Sequence, residues 1–206
     1  MSTSYFVTGI DTNIGKTIVS AILVEALEGD YWKPIQSGDL HNSDTSKVKN
    51  LVSERRVLHS EAYRLTNPLS PHISAKIDGV TISVDNISLP HTSNNMIVEG
   101  AGGLLVPINE NGEYLSDIIS KLNMEVILVA KNYLGSINHT LLSIEYLKSK
   151  DISIKGIIMI GDKNEASESI IAKNTGVQVL HHVPFVNDIT NGFINEQAEL
   201  LRTALN

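Results

Sequence analysis

The sequence predicts an α/β fold in which a mostly parallel sheet is flanked by helices, organised as one domain over residues 1–206. Short apolar runs alternate with longer amphipathic stretches, as they do when each strand returns through a helix. The runs show no period-two alternation of apolar and polar residues, so both faces of each strand are expected to be covered. A chain of 206 residues with 42% apolar and 19% charged side chains suits a single globular core and not a disordered or membrane-spanning one.

Taken in order, the first strand is read over 4–9 (Ser4-Tyr5-Phe6-Val7-Thr8-Gly9) and a helix over about 15–28. A shorter strand lies near 31–34, where Trp32 is expected in the core because large aromatics dominate burial. A helix follows at about 43–53. Further strands are expected at 95–99, 125–130, 155–160 and 177–183, with helices at 136–149, 164–174 and 192–205. Ile137, Leu141, Ile144 and Leu147 give the first of these three helices its apolar face. The segment Thr66 to Thr92, rich in Pro, Ser and Asn, is the least regular and is expected to supply loops at one edge of a site. Pro90 would end any helix there.

Composition excludes several function classes. The formal charge of −7, with no cluster of Lys and Arg, disfavours nucleic acid as a partner. No apolar run approaches the ~18 residues of a spanning helix, so no membrane partner is expected. The chain enters an apolar strand directly after Met1-Ser2-Thr3-Ser4, and export is not expected. Cysteine is absent, which removes disulfides, iron–sulfur clusters and a thiol nucleophile and suits a cytoplasmic location.

The strongest motif is Gly9-Ile10-Asp11-Thr12-Asn13-Ile14-Gly15-Lys16-Thr17, which leaves a strand and opens a helix. Backbone N–H groups of such a loop, with the positive helix end, cradle phosphate oxygens. Lys16 would neutralise the β- and γ-phosphates, and the Thr17 hydroxyl would hold Mg²⁺. The motif resembles the phosphate-binding loop of P-loop NTPases, a Rossmann-like class, against the alternative of a chance Gly-Lys-Thr at an ordinary helix start. Five residues separate Gly9 from Gly15, one more than the common pattern.

A second cluster surrounds it. Lys33 ends an apolar strand, and Pro34 and Gly38 turn the chain immediately afterwards. That position opens into the crevice where parallel sheets bind ligands, although a lysine there is also commonly just solvated. Asp44 follows Ser43 at a helix start, either as a plain cap or as a ligand. Glu99 is read as an acid ending a buried strand, costly unless a cation faces it, with capping of a neighbouring helix as its alternative. Adjacent His181 and His182 point to opposite faces and do not chelate one ion. His72 is read either as lining the substrate site or as an ordinary loop residue, and His139 as structural.

Together these residues resemble the dethiobiotin synthetase family along nearly the whole chain. The resemblance rests on Tyr5-Phe6-Val7-Thr8-Gly9 before Asp11-Thr12 and Gly15-Lys16-Thr17, on Lys33-Pro34 with Ser37-Gly38, and on Asn42-Ser43-Asp44. Ser70-Pro71-His72, Val98-Glu99-Gly100-Ala101-Gly102-Gly103, Leu134-Gly135 with Ile137-Asn138-His139, and Val183-Pro184 complete it. The lengthened phosphate loop is itself a mark of that family.

The resemblance implies an ATP-dependent cyclo-ligase of biotin biosynthesis with Mg²⁺. Its substrate is 7,8-diaminononanoate (7,8-diaminopelargonate), which captures CO2, supplied as CO2 or bicarbonate, as a carbamate. ATP phosphorylates the carbamate, and the second amine closes the ureido ring. The resemblance makes Lys33 the catalytic lysine beside Lys16, and Thr17, Asp44 and Glu99 the metal ligands. Asn13, Ile14, Gly15, Lys16 and Thr17 would bind the nucleotide, with Glu99, Gly100, Ala101, Gly102, Val183, Pro184 and Phe185. Thr12 and Ser37 would contact the reacting end of the substrate. In a homodimer, Leu134, Gly135 and Asn138 of the partner would hold its carboxylate, with Tyr133 facing either substrate or partner. Where the family carries an Asn-Asp pair that reads adenine, this chain has Gly161-Asp162, which leaves the choice among ATP, CTP and GTP open. A regulatory or partitioning ATPase of the same class is the rival reading.

Overall fold

The computed structural model describes residues 4–205. Strand β1 (Ser4–Gly9) leads into helix α1 (Lys16–Ala26), and β2 (Asp30–Trp32) and β3 (Ile35–Ser37) follow before α2 (Asp44–Leu51). Next come β4 (Leu58–His59), β5 (Tyr63–Leu65), α3 (Pro71–Ile77) and the long β6 (Met96–Gly103). The remainder alternates regularly: α4 (Leu115–Leu122), β7 (Glu125–Lys131), α5 (Ser136–Ser149), β8 (Ile154–Ile160), α6 (Glu165–Thr175), β9 (Val179–Val183) and α7 (Asn191–Leu205). Seven strands form one sheet in the order β4, β2, β6, β1, β7, β8, β9, and every pairing in it is parallel. A separate ladder pairs β3 with β5, also in parallel. Among the described residues, no helix is long and apolar enough to cross a membrane.

Each central strand is apolar throughout because alternate residues feed two cores. Phe6, Val98, Val126 and Leu128 point into one layer, where they meet Ile118 of α4, Ile144 of α5 and Ile171 of α6. Tyr5, Val7, Ile97, Ile127 and Val129 point into the other, against Ile22 and Leu23 of α1, Val48 of α2 and Leu201 of α7. Burying one such aliphatic or aromatic side chain contributes roughly 1.5–3 kcal/mol, so the two layers fix the strand order.

Several expectations change. Helices α3 and α4 were not expected, and α3 lies inside the segment read as irregular. Its first residue is Pro71, whose fixed φ suits the start of a helix. Strand β2 ends at Trp32, so Lys33 stands just beyond the sheet. Trp32 is buried, and its indole N–H donates to the Ser60 carbonyl oxygen at 3.0 Å. Glu99 does not end its strand: β6 runs on to Gly103. Val7 pairs with Glu99 and Gly9 with Gly103, so two steps along β1 match four along β6. The pairing bulges directly after Glu99, which re-aims the chain there.

Candidate active site

The phosphate-binding loop spans the turn from β1 into α1. Its extra residue is absorbed by left-handed backbone at Asn13 (φ 56°) and at Gly15 (φ 93°), the N-cap of α1. Gly15 is required there, because a side chain would strain that backbone and press on Ile160 at 3.1 Å. The Ile14 side chain is buried in the core, which leaves its backbone to face the loop's interior. Lys16 folds back over the loop and donates to the Asp11 carbonyl oxygen at 2.9 Å. Burial pulls the Lys16 ammonium down to about 8, opposed by Glu99 and reinforced by Lys33.

Beside this loop lies a buried charge cluster built by four elements. Lys33, 5% exposed, donates to Glu99 Oε1 at 3.0 Å and forms a short ion pair with Asp44 Oδ2. Lys33 is therefore not a solvated strand-end lysine. Burial alone would push its pKa down, but Glu99 and Asp44 more than offset this and hold it above the usual lysine value. Asp44 pairs through Oδ1 with Lys47 at 3.0 Å. Burial favours its neutral form, yet Lys33 and then Lys47 keep it below the usual carboxylate range. Asp44 does not cap α2, because the Ser43 hydroxyl takes that place and accepts from the Ser46 N–H at 3.2 Å. Thr17 Oγ1 donates to Glu99 Oε1 at 3.0 Å, and the Tyr31 hydroxyl donates to Oε2 at 2.9 Å. Glu99 thus caps no helix; a lysine, a threonine and a tyrosine hold it. Burial, then Glu99, raises the Tyr31 pKa far above its usual value, so the phenol keeps its proton.

The cluster opens into a cleft of about 670 Å³ lined by Thr12, Asn13, Lys33, Ser37, Asp44, Ala101 and Gly102, and by Pro68 to Pro71. The irregular segment does reach one edge of the site. The Ser37 hydroxyl is buried with no hydrogen-bond partner among the described residues, and it lines this cleft. A buried hydroxyl of that kind commonly answers to a ligand or water. A second, more apolar cleft of about 330 Å³ shares Thr12 and Val106 with the first and extends along Ile10, Leu104, Leu142 and Tyr146. Leu134, Gly135 and Asn138 stand outside both, at the exposed start of α5, with Leu134 103% exposed. Tyr133 hydrogen-bonds His139 Nδ1 at 2.8 Å.

On the far side of the loop, the Gly161 N–H donates to the Val183 carbonyl oxygen at 2.8 Å. Gly161 has φ 92°, and a side chain there would collide with the Phe185 ring. Phe185 is 60% exposed, and Lys131 Nζ stands 5.0 Å from its ring centre. Asp162, the retained acid, accepts at its carbonyl oxygen from Asn132 Nδ2 at 3.0 Å.

Other readings resolve locally. His72 is helical rather than in a loop, bonds Ser70 Oγ at 2.8 Å, and lines a smaller cleft with Lys76 and Glu110 instead of the one beneath Lys33. His181 pairs with Gln197 and His182 with Glu168, on opposite faces as strand geometry demands. Sequence reasoning missed Tyr31, Gln36 and Lys47. Gln36 Oε1 accepts from the Asp44 N–H at 3.2 Å and so seats the start of α2. Lys47 was legible as an i, i+3 partner of Asp44; Tyr31 depended on strand register.

The chain is similar to known proteins along nearly its whole length. An AAA-domain family model matches residues 3–192. The ATP-dependent dethiobiotin synthetase BioD of Christiangramia forsetii is 49% identical, over 100% of this chain and 99% of that one. Its counterpart in Cytophaga hutchinsonii is 47% identical over 94% of each. Among solved structures, the cell division ATPase MinD of Pyrococcus furiosus superposes with a TM-score of 0.57 at 14% identity, covering 98% of this chain and 99% of the other. A ParA family ATPase from Chlorobium tepidum gives 0.55 at 17%, covering 98% and 93%. Likeness at such identity shows the P-loop fold alone, while the near-full-length matches carry the assignment: this chain belongs to the ATP-dependent dethiobiotin synthetase family.

Proposed function

We propose that this chain is itself an ATP-dependent dethiobiotin synthetase, acting on 7,8-diaminononanoate and CO2 at the cleft beside the phosphate loop. The observation that carries the reading is the buried Lys33, set between Asp44 and Glu99 where the loop meets that cleft. Family membership and the P-loop fold support ATP as co-substrate.

One substrate amine adds to CO2 to give a carbamate. A carbamate oxygen attacks the γ-phosphorus, the bond to ADP breaks, and a carbamic–phosphoric anhydride forms. The second amine then attacks its carbonyl carbon, phosphate leaves, the ring closes, and the displaced protons pass to solvent. The nucleophiles are competent already, so the protein supplies position and charge neutralisation. Lys16 and the loop N–H groups hold the β- and γ-phosphates. Lys33 meets the negative charge that builds between carbamate and γ-phosphate. Thr12 and Ser37 orient the reacting end of the diamine, and Phe185 with Val183 and Pro184 flanks the base.

Thr17, Asp44 and Glu99 are the proposed Mg²⁺ ligands. The donor set fits: all three offer hard oxygens, and both carboxylates face one ammonium across a short gap. Among the described residues no group of three or more His, Cys, Asp or Glu side chains gathers as a metal site, and Mg²⁺ is a cation commonly held by only one or two carboxylates. Held there, Mg²⁺ would offset the negative charge of the phosphates.

The substrate carboxylate is assigned to the start of α5 in a partner subunit. Exposed Leu134, Leu142 and Leu105 around that helix favour burial against a second copy, and the helix N-terminus suits a carboxylate. A cytoplasmic location fits a chain without cysteine.

The deciding experiment is phosphate release from MgATP and bicarbonate, with and without 7,8-diaminononanoate, with mass detection of the cyclic urea. Diamine-dependent release that yields the urea is expected. Release indifferent to the diamine would leave a P-loop ATPase and remove the synthetase reading.

A further inference from the structure

Tyr31 and Lys33 lie two residues apart, one on β2 and the other just past its end, and both reach Glu99 on the neighbouring strand. The register explains how. Tyr31 pairs with Ile97 and Trp32 with Val98, so Glu99 stands diagonal to Tyr31 on the same face of the sheet, within reach of an aromatic side chain. Tyr31 is fully buried in the layer that holds Ile97, Val48 and Ile22, and Glu99 is 1% exposed. The bond between them is thus shielded from bulk solvent by the packing around both side chains.

The three donors to Glu99 divide its carboxylate. Oε2 accepts from the Tyr31 hydroxyl at 2.9 Å, while Oε1 accepts from Thr17 at 3.0 Å and Lys33 at 3.0 Å. Rotation of the carboxylate about its last bond moves both oxygens together, so it would break the phenol bond along with the other two. The oxygen that faces the phosphate loop is therefore fixed by a side chain on the opposite side of the carboxylate.

We propose that Tyr31 is a positioning residue of this enzyme, holding Glu99 so that Oε1 alone is presented to Thr17, Lys33 and a divalent cation. This rests on the reading of Glu99 as a metal ligand. Outer partners of a ligating carboxylate restrict its orientation, and their loss typically lowers metal affinity on the order of 10-fold to 100-fold. Phe at position 31 would keep the ring in the core and remove only the donor.

The test is Mn²⁺ binding, followed by electron paramagnetic resonance with a non-hydrolysable ATP analogue bound to the full-length protein, in a cycle of Tyr31→Phe, Glu99→Gln and the double variant. Tyr31→Phe is expected to weaken Mn²⁺ binding on the order of tenfold, to leave analogue affinity in EDTA within about twofold, and to have no added effect once Glu99 is Gln. Unchanged Mn²⁺ affinity in Tyr31→Phe, with a clear loss in Glu99→Gln, overturns the role of Tyr31 and leaves Glu99 a ligand. Unchanged affinity in Glu99→Gln overturns the ligand reading itself. A loss in Tyr31→Phe that persists in the Glu99→Gln background marks a general structural effect and also overturns the proposal. Should Tyr31→Phe fail to fold, the wild-type protein decides: the ring-carbon NMR signal of Tyr31 must shift when Mg²⁺ joins the bound analogue, and an unmoved signal counts against the proposal.

Discussion

Lys33 Nζ lies 3.0 Å from Glu99 Oε1 on β6, and its other carboxylate contact, Asp44, opens helix α2. One ammonium therefore joins a loop residue, a strand residue and the first residue of α2 at the edge of the cleft. Lys33→Ala would remove the cation that meets developing charge, a loss on the order of 100-fold to 1,000-fold in kcat, with nucleotide affinity within about threefold. It would also leave buried Glu99 and partly exposed Asp44 without the cation they share, which costs about 3 kcal/mol, the low end for a broken buried pair. Mg²⁺ should restore part of that stability in the variant and little in the wild type. Steady-state kinetics beside thermal unfolding with and without Mg²⁺ checks both parts, and turnover that survives the substitution removes Lys33 from the chemistry.

Lys16 should behave differently. It lies over the phosphate loop, bonded to the Asp11 carbonyl oxygen, and would meet phosphate in the ground state as well as in the transition state. Lys16→Ala is expected to weaken nucleotide binding by roughly 10-fold to 100-fold, the worth of a charge-assisted hydrogen bond. Titration with a fluorescent ATP analogue measures it. A variant that binds the analogue normally but turns over slowly would give Lys16 the role assigned to Lys33.

How much of this was legible depended on the range of each signal. The phosphate loop reads directly because Gly15-Lys16-Thr17 are adjacent and the strand before them is plain. Glu99 and Asp44 were found as residues, yet their partners came through tertiary structure: Glu99 was read as a strand end because Gly100-Ala101-Gly102-Gly103 looks like a loop, whereas it forms a bulged continuation of β6. Helix α4 was missed because Tyr114 precedes it, without the Ser, Thr, Asp or Asn that marks a helix start, whereas Ser43 precedes α2, also 8 residues. Tyr31 carried no signal of its own, since nothing local distinguishes it from any other core aromatic.

Base choice is the next expectation. Phe185 presses against Gly161, so no side chain can stand at 161 to read a base edge. Stacking on the exposed Phe185 ring would contribute roughly 1–3 kcal/mol without discriminating among bases. Values of kcat/KM for ATP, CTP and GTP are therefore expected to lie within about 100-fold of one another, and Phe185→Ala should raise KM for all three. A preference above about 10⁴-fold would require an edge-reading group and would contradict this account.

The last expectation concerns pH and stability, away from the site. His181 is half-buried; desolvation pulls its pKa below the usual histidine value, with the Gln197 hydrogen bond opposing and nearby His182 adding to the fall. The folded protein thus favours neutral His181, while the unfolded chain takes up a proton at the ordinary value near 6.5. Where the unfolded state binds more protons, stability rises with pH. The contribution of His181 is complete above pH 6.5 and is lost as pH falls from there towards the depressed folded value. Partly buried, ion-paired carboxylates such as Asp44 lose theirs only at lower pH, because their folded values are depressed below an already acidic range. His181→Gln keeps a polar partner for Gln197 and removes the titration. Its unfolding temperature should therefore fall less than that of the wild type between pH 7 and pH 5. Parallel profiles for the two proteins would mean that His181 has the same proton affinity folded and unfolded.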